Sequence, residues 1–180
     1  MSFLRRQVMD YKEQMKRANE NNAFMIHNGV RAVELSETAA RVEMDPEKTS
    51  LNSMGGVHAG LMFLMAEAAA GLLVRNDGRT CVTIDSSFRF LRSAGPSEPL
   101  YAEARVTKRG RTVSFCHSGV YGRDSGKLFA EGDFTFFCQE QGGCSRRSRR
   151  TARFPARHGE AVKRPGGQNG VPVDIREKAC

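Results

Sequence analysis

The spacing of apolar positions changes period along the chain, and each change predicts an element. Between residues 3 and 18, Phe3, Leu4, Val8, Tyr11, Met15 and Ala18 recur three or four apart among charged residues, which predicts an amphipathic helix resting on a larger body. Asn19 to Asn22 reads as a polar break. Two short runs follow, Val30 to Leu35 and Ala39 to Met44, joined by Ser36-Glu37-Thr38; they predict a first β-hairpin. Asp45-Pro46 then opens an irregular loop, because proline disfavours helical geometry in its predecessor and has no amide donor. That loop carries Asn52.

After Gly55-Gly56 the period is lost because nearly every position is apolar, which predicts a helix from about Val57 to about Val74 enclosed on most sides. Glu67 is the one charged residue between Leu61 and Val74. The stretch is too short for a membrane span, which needs roughly 20 apolar residues, and it contains His58 and Glu67. Beyond Asn76-Asp77-Gly78 the pattern alternates as strands over Cys81 to Leu91, Leu100 to Lys108, Thr112 to Tyr121 and Lys127 to Phe137. Short connections at Ser93-Ala94-Gly95-Pro96, Arg109-Gly110-Arg111 and Arg123-Asp124-Ser125-Gly126 predict an antiparallel meander curling around the long helix, an α+β domain.

Charge divides the chain. The net charge is +8, but ten of the 28 Lys and Arg and only four of the 20 Asp and Glu lie from Gln139 onward, leaving residues 1–138 at +2. The expected organisation is a packed helix over residues 1–22, one folded domain over 23–138 and a basic, disordered tail over 139–180. Phe154 is the tail's one aromatic, too little apolar surface to offset chain entropy. Arginine clusters bind phosphates, so a nucleic-acid role for the tail stands as an alternative, but none is expected of the nearly neutral domain. The five cysteines are odd in number and lack metal-binding spacing, so reduced thiols, no metal and no disulfide framework are expected. The charged start lacks the apolar run of a secretory signal, and a cytoplasmic location is expected.

Chemistry concentrates at Glu67. An ionised carboxylate in apolar surroundings costs several kcal/mol unless compensated, which makes it a candidate base; a structural carboxylate met by a neighbouring hydroxyl is the alternative. His58, Ala59 and Gly60 fall in the first helical turn, where amides lack intrahelical partners and the positive end of the helix dipole gathers. Such amides stabilise the oxyanion formed when a carbonyl is attacked. Ala59 and Glu67 are eight residues apart, about 12 Å along a helix, too far to touch one carbonyl carbon. If both act, one protomer supplies the amide and another the carboxylate, which predicts a homodimer with two composite sites.

Asn52, His58-Ala59-Gly60, Glu67 nine residues after the histidine, and Val82-Thr83-Ile84-Asp85 together resemble the PaaI-like hotdog-fold acyl-CoA thioesterases. The resemblance covers roughly Gly29 to Cys138, about three fifths of the chain. It implies a hotdog fold, in which a curved antiparallel sheet wraps a long central helix, and hydrolysis of an aromatic or medium-chain acyl-CoA without a cofactor. By that resemblance Glu67 acts as general base or as nucleophile, Thr83 orients the water or the carboxylate, Asn52 positions water or thioester, and the Ala59 amide polarises the carbonyl. Two positions depart from the family pattern: Glu67 stands where most members have Asp, and Ala59 replaces the middle glycine. Arg109, Arg111, Arg89 and Arg92, with Lys108, lie where the nucleotide phosphates are expected, the Lys-Arg-Gly-Arg turn converging cations on one point. Met62 and Phe88, with Met54, Met65 and Phe90, are candidates to line the acyl tunnel. Tetramers built from two dimers are compatible with the same site. A hotdog protein that binds acyl-CoA without cleaving it is the alternative function, and the motif of the hotdog dehydratases is not seen.

Overall fold

The computed structural model describes residues 10–139, and the expectations for residues 1–9 and for the basic tail lie outside them. Helix α1 spans Tyr11–Asn21, its first turn capped by the Asp10 carboxylate, which accepts from the Lys12 amide at 2.9 Å. It therefore runs through the expected break at Asn19, and a second, short helix α2 follows at Ala23–His27, its Met25 amide bonded to Asn22 Oδ1. Asn19 does not interrupt the helix because its side-chain amide has another task. It donates to the Ala32 carbonyl at 3.0 Å and accepts from the Ala32 amide at 2.8 Å, pairing with the edge of β1 as a peptide group would.

Strands β1 (Arg31–Leu35) and β2 (Ala39–Met44) form the expected hairpin, its turn closed by Ser36. The central helix α3 spans Ala59–Val74, and eleven of its sixteen residues are buried. It is gripped at its C-terminal end, where carbonyls lack intrahelical partners. Arg109 donates to the carbonyls of Val74 at 3.1 Å and Leu73 at 3.3 Å while pairing with Asp77 at 2.9 Å. A cation at this end also complements the helix dipole.

The remaining strands are β3 (Thr80–Phe90), β4 (Leu100–Arg109), β5 (Val113–Gly122) and β6 (Leu128–Gln139), and with β1 and β2 they make one antiparallel sheet in the order β1-β2-β4-β5-β6-β3. The expected meander is corrected at its first step: β3 pairs with β6, not with β4. The segment between β3 and β4 is not a hairpin turn. Leu91 and Arg92 both donate to the Phe129 carbonyl, and the fully buried Ala94 accepts from the Val57 amide at 3.0 Å, so the chain crosses past the start of α3 before β4 begins beside β2. β3 is left as a sheet edge, with Val82 and Ile84 56% and 57% exposed.

The cysteine expectation is corrected at one pair. Cys81 on β3 and Cys138 on β6 stand directly opposite in the β3–β6 register, with Cα atoms 4.1 Å apart, and their sulfurs are bonded. Their separation of 57 residues gives no local motif from which this could be read. Cys116 is free and buried, and burial pushes its thiol up to about 12. Among the described residues no helix is long and apolar enough to cross a membrane.

Candidate functional site

Glu67 lies at the middle of α3 and is half-buried, less enclosed than the apolar run around it suggested. Its partner comes from the edge strand: the Thr83 hydroxyl donates to Glu67 Oε1 at 2.7 Å, and Oε2 has no hydrogen-bond partner among the described residues. The position of Thr83 depends on a bulge. Between Thr83 and Asp85 the pairing with β6 slips, leaving Ile84 as the extra residue. Side chains alternate faces along a regular strand, so Thr83 and Phe88, five residues apart, would point opposite ways. The bulge at Ile84 turns both toward α3, where Thr83 meets Glu67 and the Phe88 ring meets Phe63 edge-on at 5.3 Å.

One turn beyond Glu67 stands Gly71. A Cβ there would lie 3.2 Å from Arg75 Nη2 and 3.8 Å from Glu67 Oε1. The glycine thus opens a space that the carboxylate and the Arg75 guanidinium both border. Neither Gly71 nor Arg75 was singled out from sequence, although Glu67, Gly71 and Arg75 recur every fourth residue and so share one face of the helix.

At the other end of α3, His58 is the N-cap: its Nδ1 accepts from the Gly60 amide at 3.0 Å. A neutral ring then carries its proton on Nε2, toward solvent. The Gly60 amide is consequently occupied. Ala59 at the first helical position keeps an amide with no partner among the described residues. Asn52 shapes the approach to this end. Its Oδ1 accepts from the amides of Met54 and Gly56 at 2.9 and 3.2 Å, holding the loop in which Gly55 adopts a φ of +79°. Gly56 has no room for a side chain, since a Cβ would meet Ser93 Oγ at 2.8 Å. The Asn52 Nδ2 group is left without a partner among the described residues.

The arginines expected at phosphates do not converge. Arg109 is committed to the C-terminal end of α3 and to Asp77, the end away from Ala59, so the structure gives it a helix-capping task and no free donor fork. Arg111 is exposed, and its carbonyl accepts from Arg79. Arg89 pairs with Glu131 at 3.5 Å and Arg92 donates to the Leu128 carbonyl at 2.7 Å. Met62, 2% exposed, is part of the core and presents no surface to a ligand. Phe88 is half-buried in a cluster with Phe63, Phe90 and Phe134.

Comparison with known proteins bears on the fold and the family. The sequence model of a family described as the thioesterase superfamily matches residues 54–128, from the loop before α3 to the start of β6. A protein of Archaeoglobus fulgidus that carries an esterase name is 32% identical over 84 residues, 47% of this chain and 54% of its own length. Human acyl-coenzyme A thioesterase 13 is 28% identical over 95 residues, 52% of this chain and 68% of its own. The chain therefore spans just over half the length of the archaeal relative and about two thirds of the human one. Among solved structures, the conserved protein PA5202 from Pseudomonas aeruginosa superposes with a TM-score of 0.63 at 25% identity, covering 71% of this chain and 98% of that one. The E. coli PaaI protein from the phenylacetic acid degradation operon superposes with a TM-score of 0.67 at 21% identity, covering 71% and 91%, and that likeness shows the fold. With a helix enclosed by a six-stranded antiparallel sheet and the match to the thioesterase superfamily lying across that helix, the chain has a hotdog thioesterase fold.

Proposed function

We propose that this protein hydrolyses acyl-CoA thioesters, with Glu67 as the reacting carboxylate in a site completed by a second protomer. The observation that carries the proposal is the Thr83–Glu67 hydrogen bond on the enclosed helix of a thioesterase-superfamily fold. It ties down Oε1 and leaves Oε2 for chemistry. As a general base, Glu67 takes a proton from water as the water oxygen bonds to the thioester carbon. The oxyanion that forms is held by the Ala59 amide. Collapse breaks the C–S bond, and the proton held on Glu67 passes to the departing CoA sulfur. As a nucleophile, Oε2 instead bonds to the carbon and expels CoA, and water then cleaves the resulting anhydride. Asn52 Nδ2, without a partner among the described residues, is suited to hold the water or the thioester oxygen.

The two-protomer site rests on distance and on the free edge. Ala59 and Glu67 are separated by about 12 Å of helix, and Thr83 sits on β3, whose outer edge has no strand partner among the described residues and carries exposed Val82 and Ile84. A long, apolar edge strand invites pairing with another chain. Antiparallel pairing of β3 with its copy would bring the Ala59 end of one helix toward the Glu67 of the other. The name of the human relative supports acyl-CoA as the substrate class, and the Phe63–Phe88–Phe90 cluster supports an aromatic or medium-chain acyl group. The second reading, a binding protein without hydrolysis, is favoured by Ala59, whose Cβ stands where a glycine would leave room for the thioester. Free thiol released from a panel of acyl-CoAs by the wild type, and lost in Glu67→Gln while CoA still binds, supports the enzyme. Undiminished release in that variant contradicts it.

A further inference from the structure

Phe63, Glu67, Gly71 and Arg75 recur every fourth residue and so share one face of α3. The two ends of this row differ in chemistry. One turn before Glu67, Phe63 is walled by the rings of Phe88 and Phe134, with centroids 5.3 and 5.6 Å away. One turn after Glu67, Gly71 has no side chain, and the space this leaves is bordered by Glu67 Oε1, Arg75 Nη2 and the Phe136 ring.

Arg75 is the cation of that space. It caps the C-terminal end of α3, but helical side chains lean toward the helix N-terminus, and its Nε donates to the Gly71 carbonyl at 2.7 Å. This contact draws the guanidinium back to the level of Gly71, about 6 Å along the helix from Glu67. The missing side chain permits it, since a Cβ at position 71 would stand 3.2 Å from Nη2. Arg75 is exposed, and both its Nη groups are without partners among the described residues.

An acyl-CoA thioester has two unlike arms, and the row offers two unlike ends. The acyl arm is apolar and suits the Phe63 end. In the CoA arm the first amide follows two methylenes after the sulfur, which puts its carbonyl oxygen about 6 Å from that sulfur at ordinary bond lengths. That is the spacing from Glu67 to the guanidinium. The phosphates lie much farther along the arm. A neutral acceptor also suits the place, because an anion there would be repelled by Glu67. We infer that Arg75 donates from its Nη groups to the first amide carbonyl of the CoA arm, directing that arm toward the C-terminal end of α3 and the acyl group toward Phe63. The inference rests on the acyl-CoA hydrolase reading and adds the orientation of the substrate to it.

The test compares the full-length wild type with Arg75→Met on three thioesters of one acyl group, with thermal unfolding verifying that the variant is folded. They are the CoA thioester, the N-acetylcysteamine thioester, which keeps the first amide and lacks the phosphates, and the S-pentyl thioester, which replaces that amide by methylenes. Thiol release gives kcat/KM for each. The loss caused by Arg75→Met should be about tenfold greater on the CoA and N-acetylcysteamine thioesters than on the S-pentyl thioester, the scale of one hydrogen bond from a charged donor. Equal losses on all three would place Arg75 against the acyl group or Glu67, and a loss confined to the CoA thioester would place it against a more distant part of CoA. Either result, or no loss on any of them, would overturn the inference while leaving hydrolysis standing. A wild type inert toward all three contradicts the hydrolase reading, and the inference falls with it.

Discussion

The Thr83 hydroxyl donates to Glu67 Oε1 at 2.7 Å, linking the edge strand to the middle of the central helix. Because Thr83 lies on β3, anything that shifts this strand also shifts the donor that holds the candidate carboxylate. Thr83→Val keeps the side-chain shape and removes the donor. Hydrogen bonds to charged groups contribute about 1.5–3 kcal/mol, and each 1.36 kcal/mol of lost transition-state stabilisation is about tenfold in rate. Steady-state kinetics on an acyl-CoA substrate should therefore show kcat lowered roughly tenfold to a hundredfold, with KM little changed. An unchanged kcat would make the contact structural.

Deleting Ile84 tests how the bulge places that hydroxyl. Without the extra residue strict alternation returns, and Thr83 and Phe88 cannot both face α3. Loss of either the Thr83–Glu67 contact or the Phe63–Phe88 contact should follow. We expect a destabilisation of about 1–3 kcal/mol in urea unfolding, together with a fall in kcat. A fully stable, fully active deletion would show that the register slip is not needed.

Arg109 makes a prediction of the opposite kind. Since its guanidinium caps α3 and pairs with Asp77, Arg109→Met should lower stability by about 2 kcal/mol and leave the KM for acyl-CoA within about twofold of wild type, less than the loss of one charge-assisted contact. A raised KM at unchanged melting temperature would restore the phosphate-binding role expected from sequence.

Acid stability should depend on Glu103. Desolvation pushes its carboxyl upward, but hydrogen bonds from Arg105 and Arg41 outweigh this and hold it below the usual range. A depressed carboxyl contributes stability above its unfolded value of about 4.3 and loses it as pH falls through the lower folded value. Glu103→Gln should therefore be less stable than wild type at pH 7, by about 1 kcal/mol or less for a half-buried group paired near the surface. The difference should shrink below about pH 4. Unfolding midpoints across that range check the sign.

Much of this architecture can be read from residue spacing. The apolar run around Glu67 marked the enclosed helix, and Val30 to Met44 marked the hairpin. What spacing could not supply depends on partners distant in sequence. β3 pairs with β6 because the chain from Leu91 onward crosses the start of α3, and a run of turn-forming residues looks the same whether it reverses a hairpin or crosses a sheet. Arg109 was drawn to phosphates by its Lys-Arg-Gly-Arg turn, whereas the backbone carbonyls of Leu73 and Val74 that hold it leave no mark on composition. The Cys81–Cys138 pair exists only through strand register. At the candidate site, Glu67 stands out in sequence as the lone charge of its helix and Thr83 only through the family resemblance; their contact, the occupied Gly60 amide and the open space at Gly71 emerge only from geometry.

The two-protomer site is tested most directly by mixing two inactive variants. Ala59→Pro removes the amide at the first helical position, where proline is tolerated, and His58 before it already has the extended conformation (φ −65°, ψ 132°) that a following proline requires. Glu67→Gln removes the carboxylate. Unfolded together and refolded as an equal mixture, half of the dimers pair the two variants, and each of these contains one site with an intact amide and an intact carboxylate. Thiol release should recover to about a quarter of the wild-type rate. A mixture no more active than its components would contradict a site shared between protomers.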